Sequence, residues 1–446
     1  ISCYLLLSVT METRILSAFV SVFIVQLIFS VNLTLSGNFK KSETTGFDYC
    51  TERVQVALSE EILSRIGSDL LADAINSTGF VYSEFNIVNK LLQLFKAGTL
   101  EVKNDIKRYL GLPNKKMCDT RYCQSFRNIS DFMKGSMGDN FLYGNVLYKS
   151  QSRPAFPWDC GTVKEVDFGG HNDSVVSEIN KDYQKIFETD KGQCLQRSLN
   201  SETDFFLQST SGVKPALLGD LKSYTSDCTF TDLDGELRDV KWVGTDADPW
   251  IGEMVLPKIS SDIYENCNLV IYRTEVNGGK QYMLYFMVMY SYIEDVNMKM
   301  KCLQIIMKNL RYYTRVAISR GSGVKKDEIG SKMRFKNLLV PVMSLQSDLN
   351  LKKIFEPNLP NLFKQKQIKN LYRGKDTLHE MRMCESFYNK DRNYTEIDIP
   401  VQKITWRDFN PNIKKQEHIC LYDTFIFNLV DKETGIYLKT GAYLRP

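Results

Sequence analysis

The chain has few of the side chains that usually catalyse reactions or bind metal ions. Among its 446 residues there are three histidines, His171, His379 and His418. His379-Glu380 resembles the start of the zinc motif H-E-x-x-H, but Met383 stands where the second histidine is required. No G-x-S-x-G sequence occurs, so the usual hydrolase nucleophile turn is absent. We therefore predict neither an enzyme nor a metal or cofactor site.

The sequence also lacks internal repeats, low-complexity tracts and a strong charge imbalance. With 43% hydrophobic and 25% charged residues, and with 12 prolines and 26 glycines, it is typical of a globular protein that buries a large core. The formal net charge of +4 is too small to indicate a polyanionic partner on its own. "RGSGVKK" at 320–326 fits neither glycine-rich phosphate motif, and we interpret it as a basic surface turn.

The first methionine, Met11, opens a segment that is typical of secretory signal peptides. "METRILSAFVSVFIVQLIFSVNLTLSG" contains Arg14 near its start and small residues at Thr34 and Ser36. Between them lies an apolar run of about seventeen residues, which is short for a membrane span. We interpret residues 11–36 as a cleaved signal peptide rather than an anchor. Residues 1–10 are then an upstream non-native segment, and residues 37–446 are predicted to form a single domain.

Glycosylation sequons and cysteines agree with export from the cell. N-x-[ST] sequons occur at Asn32, which would leave with the signal peptide, and at Asn76, Asn128, Asn172 and Asn393. Once Cys3 is set aside, the even number of cysteines predicts up to five disulfides in an oxidising compartment. These candidates are Cys50, Cys118, Cys123, Cys160, Cys194, Cys228, Cys267, Cys302, Cys384 and Cys420. Their pairing stays open, and we interpret the closely spaced Cys118 and Cys123 as disulfide cysteines rather than metal ligands.

Helical patterns come first along the chain, and strand patterns dominate later. Residues 51–75 and 84–112 place apolar residues at helical spacing, with a break at Ala97-Gly98 and Thr99 as the N-cap of the next helix. Strand patterns follow in "NFLYGNVLYK", "LVIYRTEV", "QYMLYFMVMY", "FKNLLVPVMSL" and the C-terminal segment. Turns are predicted at Asp234-Gly235, Asn277-Gly278 and Asp431–Gly435. This order predicts an α+β fold with a largely antiparallel sheet.

The order of these segments resembles the serpin family. Residues 81–87 are similar to the family's N-V-x-x-S-P-x-S-I segment, and residues 96–111 to its G-A-x-G-x-T…L-G helix pair. Residues 166–180 resemble V-D-F…I-N-x-W-V, with Tyr183 near the place of the tryptophan. "YDTFIFNLVDKETGIYLKTGAYLRP" resembles the family's C-terminal H-P-F-l-F…T-G-x-i-L-F-x-G-r-v-x-x-P. The similarity runs from about residue 55 to 446 and is weakest over 195–260, where "FFLQSTSGV" is the candidate for N-A-I-Y-F.

The resemblance implies a serpin fold, with N-terminal helices, large mostly antiparallel β-sheets and an exposed reactive loop at about 388–409. Inhibitory serpins trap a protease when the cleaved loop inserts as an extra strand into a central sheet. The inserted part needs small side chains, which the family provides in a hinge rich in glycine and alanine. In this chain, no glycine or alanine occurs from Leu378 to Ile404. The hinge equivalent contains large and charged residues instead: Phe387, Tyr388, Asn389, Lys390, Asp391 and Arg392.

Three further positions depart from the family pattern. Asp423 stands where the family has a histidine in the polar network that controls sheet opening, and Thr424 stands where it has the next proline. The family's serine-proline pair corresponds to Ser83-Glu84. We therefore predict a sheet that does not expand.

These features predict a secreted, non-inhibitory serpin-fold glycoprotein with a binding or scaffold role. Its partner would be an extracellular protein, a sulfated glycan or a small apolar ligand, with no nucleic acid and no stable membrane span after signal cleavage. One alternative is a serine or cysteine protease inhibitor with a deviant loop, cleaved after Lys403 or Arg407 because trypsin-like proteases cut after basic residues. Another alternative is a structural or storage glycoprotein.

A basic segment at 299–336 is the candidate for binding an anion or a glycan. It carries eleven lysines and arginines against Asp327 and Glu328. The named candidates are Lys308, Arg311, Arg315, Arg320, Lys325 and Lys326. A solvated basic face without a ligand is the alternative interpretation.

Overall fold

The computed structural model describes most of the chain from residue 46 onwards. The described residues are 46–59, 62–75, 77–150, 158–168, 172–187, 199, 205–213, 221–226, 228–245, 250–254, 268–276, 281–289, 295–314, 332–364, 367–368, 381–388, 399–401 and 416–446. Residues 48–446 form one compact unit. The predicted upstream segment and signal peptide, residues 1–36, lie outside the described residues.

Helices dominate the N-terminal part of the described chain, as predicted. Their bounds are α1 Tyr49–Leu58, α2 Ile62–Asp73, α3 Glu84–Ala97, α4 Leu100–Tyr109, α5 Lys116–Asp119, α6 Tyr122–Met137, α7 Asn172–Phe187, α8 Val296–Lys308 and α9 Lys352–Phe355. A further helical segment, 310–314, follows α8.

Local contacts define where α3 begins and where α4 follows it. Ser83 caps α3, because its Oγ accepts a hydrogen bond from the Asn86 amide at 3.2 Å. A Cβ added to Gly98 would lie 2.6 Å from Val102 Cγ1, so glycine allows the close approach of α4 after the break. Thr99 occupies the predicted N-cap position of α4, although its side chain makes no capping hydrogen bond.

The later part of the chain forms strands with mostly antiparallel pairing. Their bounds are β1 Gly79–Tyr82, β2 Phe141–Ser150, β3 Thr162–Val166, β4 Phe205–Val213, β5 Leu221–Ser226, β6 Phe230–Thr231, β7 Leu237–Arg238, β8 Trp242–Thr245, β9 Trp250–Met254, β10 Asn268–Val276, β11 Gln281–Met289, β12 Lys332–Pro341, β13 Ser344–Asn350, β14 Arg382–Tyr388, β15 Ile399–Val401, β16 Gln416–Cys420, β17 Phe425–Asp431 and β18 Tyr437–Tyr443. Among the described strands, parallel pairing is confined to β2–β3, β5–β15 and β12–β16. The predicted α+β fold is confirmed.

The strands assemble into one large sheet and several smaller ones. The large sheet has the order β1-β18-β17-β11-β10-β9-β12-β8-β5-β15, with β16 beside β12. Strands β3-β2-β4 form a second sheet, β13-β14 a third, and β6-β7 a short hairpin. All residues of β17 and β18 are buried, so these strands form the centre of the molecule.

The predicted turns at Asp234-Gly235 and Asp431–Gly435 join strands that pair with each other, and residues 277–278 of the third predicted turn lie outside the described residues. Strands β10 and β11 pair antiparallel up to Val276↔Gln281, on either side of the predicted turn at 277–278. Gly235 and Gly435 have φ of +84° and +69°, a conformation that glycine adopts with little strain. At the second of these turns, the Gly435 amide donates to the Asp431 carbonyl at 2.8 Å.

Strand β4 lies between two helices and is the "FFLQSTSGV" segment, where the family similarity is weakest. Its side chains alternate between the two faces of the sheet. Gln208 donates to the Ile179 carbonyl of α7 at 3.3 Å, whereas the Ser209 hydroxyl accepts a hydrogen bond from Gln93 of α3 at 3.0 Å. This alternation brings buried polar groups of β4 against α3, beneath the sheet.

The segment that resembles V-D-F…I-N packs as one apolar cluster under α7. The cluster consists of Tyr148, Val166, Phe168, Val175 and Ile179. Tyr183, near the place of the family's tryptophan, is also buried. The spacing that suggested the resemblance is therefore the spacing that packs α7 onto β2 and β3.

Among the candidate cysteines whose side chains the structure describes, seven are in disulfides. The described pairs are Cys50–Cys118, Cys123–Cys160 and Cys228–Cys420. Cys302 is also disulfide-bonded. Cys194 and Cys267 lie outside the described residues, and only the backbone of Cys384 is described, in β14. Cys118 and Cys123 thus bond to different partners.

Asp423 lies in a buried ion pair away from β4 and β14. Its Oδ1 is 3.4 Å from the Lys299 Nζ and accepts a hydrogen bond from the Thr424 amide at 2.7 Å. Burial raises the pKa of Asp423 to about 6, against the opposing effect of the Lys299 ammonium. Lys299, predicted as part of an exposed basic segment, is therefore an internal counter-ion for Asp423.

We expect this carboxyl to make the free energy of unfolding fall as the pH rises from about 4 to about 6. Between those values, folded Asp423 holds a proton that the unfolded chain has released. Asp423→Asn removes this titrating carboxyl, so the stability of the wild type relative to the variant should fall by roughly 2 kcal/mol over that range. Denaturant unfolding of both proteins between pH 4 and 7 measures this difference, and a difference that does not change with pH would contradict the assignment.

Candidate functional site at the seam between β4 and β14

The central feature of the site is a boundary between two sheets whose strand edges face each other. Strand β4 pairs with β2 along one edge, and β14 pairs with β13 along one edge. The other edges of β4 and β14 lie next to each other, but no strand pairing joins them. We call this boundary the seam. A strand inserted there would break no existing ladder, but β4 and β14 would have to separate to admit it.

Two residues predicted to lie in the hinge belong to β14 instead. Phe387 and Tyr388 are the last residues of that strand and pair with Leu345 and Ser344 of β13. The hinge prediction is wrong for this pair, because their backbone groups already form part of an antiparallel ladder. The other predicted hinge residues, Asn389, Lys390, Asp391 and Arg392, lie outside the described residues, as do the candidate cleavage residues Lys403 and Arg407.

Helix α3 presents buried polar side chains to the underside of β4. Lys90 Nζ donates to the Leu207 carbonyl at 3.0 Å. Asn89 donates to the Ser209 hydroxyl at 2.9 Å, the same hydroxyl that Gln93 contacts. These residues are all nine-tenths buried or more, apart from Leu207. In an ordinary core this face of α3 would be apolar. Here its polar side chains form hydrogen bonds with hydroxyl and carbonyl groups of β4.

A buried ion pair joins the two sides of the seam. Lys439, on β18, forms an ion pair with Glu385 of β14 and donates to the Ser211 carbonyl of β4 at 2.6 Å. Asn86 of α3 donates to the other Glu385 oxygen. The Glu385 and Lys439 side chains are 0% and 1% exposed. We call Asn86, Lys90, Ser211, Glu385 and Lys439 the seam cluster.

Electrostatics make the seam cluster sensitive to the loss of any charge. Burial raises the pKa of Glu385, while Lys439, Asn86 and Lys90 oppose that rise. Burial lowers the pKa of Lys90 to about 8, against the attraction of Glu385. Removing one partner of a buried pair leaves the other charge without compensation and without water. The Lys439 ammonium therefore ties β14, β4 and β18 together.

A second buried pair involves one residue that was predicted to bind glycans. The Arg311 guanidinium pairs with Glu84 of α3, donates to the Leu58 carbonyl at 3.1 Å and lies 4.4 Å from the centre of the Tyr437 ring. Arg311 is 2% exposed, so its prediction as part of a glycan surface is wrong. Lys308 is exposed at the end of α8, whereas Arg315, Arg320, Lys325 and Lys326 lie outside the described residues.

The sequence reasoning assigned the polar network of the sheet to Asp423, which lies elsewhere, and missed Glu385 and Lys439. Asp423 bonds to Lys299 rather than to any residue of the seam cluster. A usable signal was present: Lys439 is the one charged residue in the strand pattern "YLKTGAY", and Glu385 is the one charged residue in the interior of "RMCESFY". Charges in such positions are rarely buried unless they are paired.

The remaining predicted sites are only partly described. Asn128 is half-buried on α6, where its Oδ1 accepts a hydrogen bond from Gln124 at 2.8 Å. Asn172 is the first residue of α7, and Asn76 and Asn393 lie outside the described residues. Cys123, Asp159 and Cys160 lie close enough together to hold a metal ion, but the two cysteines form a disulfide and offer no thiolate.

A second basic surface lies at the end of α4, in a different part of the chain from the predicted segment 299–336. Asn104, Lys107, Arg108, Leu112 and Asn114 line a cavity of about 500 Å³ at the end of α4. Lys107 is buried and paired with Asp119 at 2.6 Å, and Arg108 is paired with Asp105 at 3.0 Å. Three exposed cations follow in the chain: Lys115, Lys116 and Arg121.

Comparison with solved structures defines the fold. Thyroxine-binding globulin in complex with thyroxine matches with a TM-score of 0.65 at 12% identity, over 87% of this chain and 98% of that one. A tumour-suppressing serpin matches with a TM-score of 0.62 at 13% identity, over 89% of this chain and 100% of that one. The chain has the serpin fold. Native protease nexin-1 with heparin matches with a TM-score of 0.63 at 13% identity, over 89% of this chain and 100% of that one.

No family model and no curated protein sequence matches the chain. Within the part of the chain that the structure describes, every helix is too short or too polar to span a lipid bilayer. The serpin fold accounts for the topology of the seam, and the chemistry at the seam depends on the residues of this chain.

We expect the Glu385–Lys439 pair to contribute much more to stability than an exposed pair of the same charges. Lys439→Met leaves Glu385 buried without its main counter-ion and should cost about 3–5 kcal/mol in the free energy of unfolding. The double variant Glu385→Leu/Lys439→Met should recover most of this loss, because it removes both charges.

The exposed pair Lys353–Asp73 provides the matched control for this prediction. Its side chains are 72% and 57% exposed and 2.7 Å apart. Lys353→Met should cost less than about 1 kcal/mol. Chemical denaturation of the four proteins measures the differences, and equal losses for Lys439→Met and Lys353→Met would refute the role given to the seam cluster.

Proposed function

We propose that this chain is a secreted serpin-fold glycoprotein that binds an extracellular partner and does not trap proteases. The observation that carries the proposal is the Lys439 ammonium, which contacts both sides of the seam from below. Disulfides at Cys50–Cys118, Cys123–Cys160 and Cys228–Cys420 support folding in an oxidising compartment. The sequons support glycosylation there.

The loop sequence supports a seam that stays closed. Alternate side chains of an inserted strand would face the buried polar surface of α3. One alternate set of residues 389–398 includes Asp391 and the sequon residue Asn393, and the other includes Lys390, Arg392 and Glu396. Either register buries at least one charge, which costs several kcal/mol unless that charge is paired. Insertion would also disturb the contacts of Lys439 with β4 and β14.

A sulfated glycan is the partner that the charge distribution supports best. Residues 103–121 carry six basic and two acidic residues, and the cavity at the end of α4 lies within this segment. Lys107 and Arg108 pair with the two acidic residues and Arg121 pairs with Asp48, so the net positive charge of the segment comes from Lys103, Lys115 and Lys116. The structural neighbour protease nexin-1 was solved with heparin, which is a sulfated polysaccharide. This surface replaces part of the basic segment that sequence analysis proposed at 299–336.

Cleavage of the loop tests the non-inhibitory part of the proposal. After limited trypsin digestion within 388–409, we expect the melting temperature to stay within about 3 °C of the intact protein. A denaturing gel of the same mixture should show a nicked chain and no protease-linked band. A large increase in melting temperature, or a band that survives SDS, would establish loop insertion and support the inhibitor alternative.

Heparin affinity tests the glycan partner separately. Lys115→Ser/Lys116→Ser removes two exposed charges and should weaken binding by about tenfold, or about 0.7 kcal/mol for each charge. The matched control Lys325→Ser/Lys326→Ser, in the other basic segment, should bind like the wild type. Titration at two salt concentrations measures both, and a loss confined to the Lys325/Lys326 variant would move the site back to 299–336.

A further inference from the structure

Part of the loop equivalent forms the edge strand at one end of the large sheet. Residues 399–401 make up β15 and pair in parallel with β5, with Ile399 opposite Tyr224, Pro400 opposite Thr225 and Val401 opposite Ser226. In the order of that sheet, β15 follows β5 at the end. The resemblance to serpins predicted that this segment is exposed as a loop, whereas these three residues are part of a ladder.

The partner strand β5 is held by contacts on its other side, so the edge that pairs with β15 has a defined position. On its other side, β5 pairs antiparallel with β8, including Tyr224 opposite Trp242. Trp242 is buried, and its Nε1 donates to the Cys228 carbonyl at 3.2 Å. Cys228, which follows β5 closely, is bonded to Cys420 at the end of β16. A strand edge held in this way has unpaired amide and carbonyl groups unless another strand covers it.

The residue types in β15 determine how this strand is oriented. Successive backbone N–H groups of a strand point to opposite sides, so the N–H groups of Ile399 and Val401 share one side and position 400 faces the other. Pro400 has no N–H and fits only on the side that makes no ladder hydrogen bond, which is the outer side of an edge strand. The amides of Ile399 and Val401 therefore face β5, and Pro400 faces outward.

We propose that residues 399–401 are a built-in edge strand that occupies the strand-binding edge of β5. The amides that a protease cleft would pair with in an extended substrate are already used within the same chain. On the outer side, Pro400 withholds the donor that an added strand from another molecule would need. This inference goes beyond the proposed function. It depends on the strand register and the position of Pro400, and it does not require that a glycan binds.

Hydrogen exchange on the intact, glycosylated protein tests the proposal directly. The two amides at 399–401 belong to Ile399 and Val401, and we expect both to exchange at least about tenfold more slowly than in an unstructured peptide of the same sequence. Val401→Pro removes one of the two inward donors. It should abolish the protection of Ile399 and speed trypsin cleavage after Lys403 by about tenfold.

Two matched variants control for the substitution itself. Val401→Ala keeps the amide and should preserve both the protection and the cleavage rate. Pro400→Ala adds an outward N–H and should also preserve them. Wild-type exchange at the rate of the free peptide would overturn the proposal. Loss of protection in Pro400→Ala, or identical behaviour of Val401→Pro and Val401→Ala, would overturn it as well.

Discussion

The contact between the Lys439 ammonium and the two sides of the seam is the interaction on which the rest of the arrangement depends. One buried cation contacts Glu385 of β14 and the Ser211 carbonyl of β4 from its position on β18. Because all these groups are shielded from water, the alternative to pairing is a buried charge without compensation. The two smaller sheets are thus held next to each other by side chains from below, without a ladder between them.

This arrangement determines what the seam can accept. A strand that entered between β4 and β14 would have to satisfy its own backbone groups and also leave the seam cluster paired. Small apolar side chains would disturb the cluster least, and the segment 389–398 has mainly polar and charged ones. The physical conflict is between charges that are already buried beneath the seam and charges that would have to be buried above it. The proposal that the chain does not trap proteases rests on that conflict.

Basic residues in this chain serve two physically different purposes. Lys299, Arg311 and Lys439 are buried and each pairs with a carboxylate from a distant part of the sequence. Such residues position elements and offer no surface to a ligand. Lys115 and Lys116, by contrast, are exposed beside the cavity at the end of α4. A count of positive charges along the sequence does not separate the two groups, because the difference is burial.

Local patterns in the sequence determined the elements of this protein, and tertiary contacts determined its site. Apolar periodicity, the break at Gly98 and the turns at Gly235 and Gly435 depend on neighbouring residues, so the order of helices and strands was predictable, and with it the α+β class. Glu385 and Lys439 are more than fifty residues apart, and Arg311 lies 227 residues from Glu84. Only the packing of β14 and β18 over α3 shows which charges are paired. The same reason explains why Phe387 and Tyr388 were misassigned: β14 ends opposite Ser344, the first residue of β13, and that partner strand is distant in the sequence.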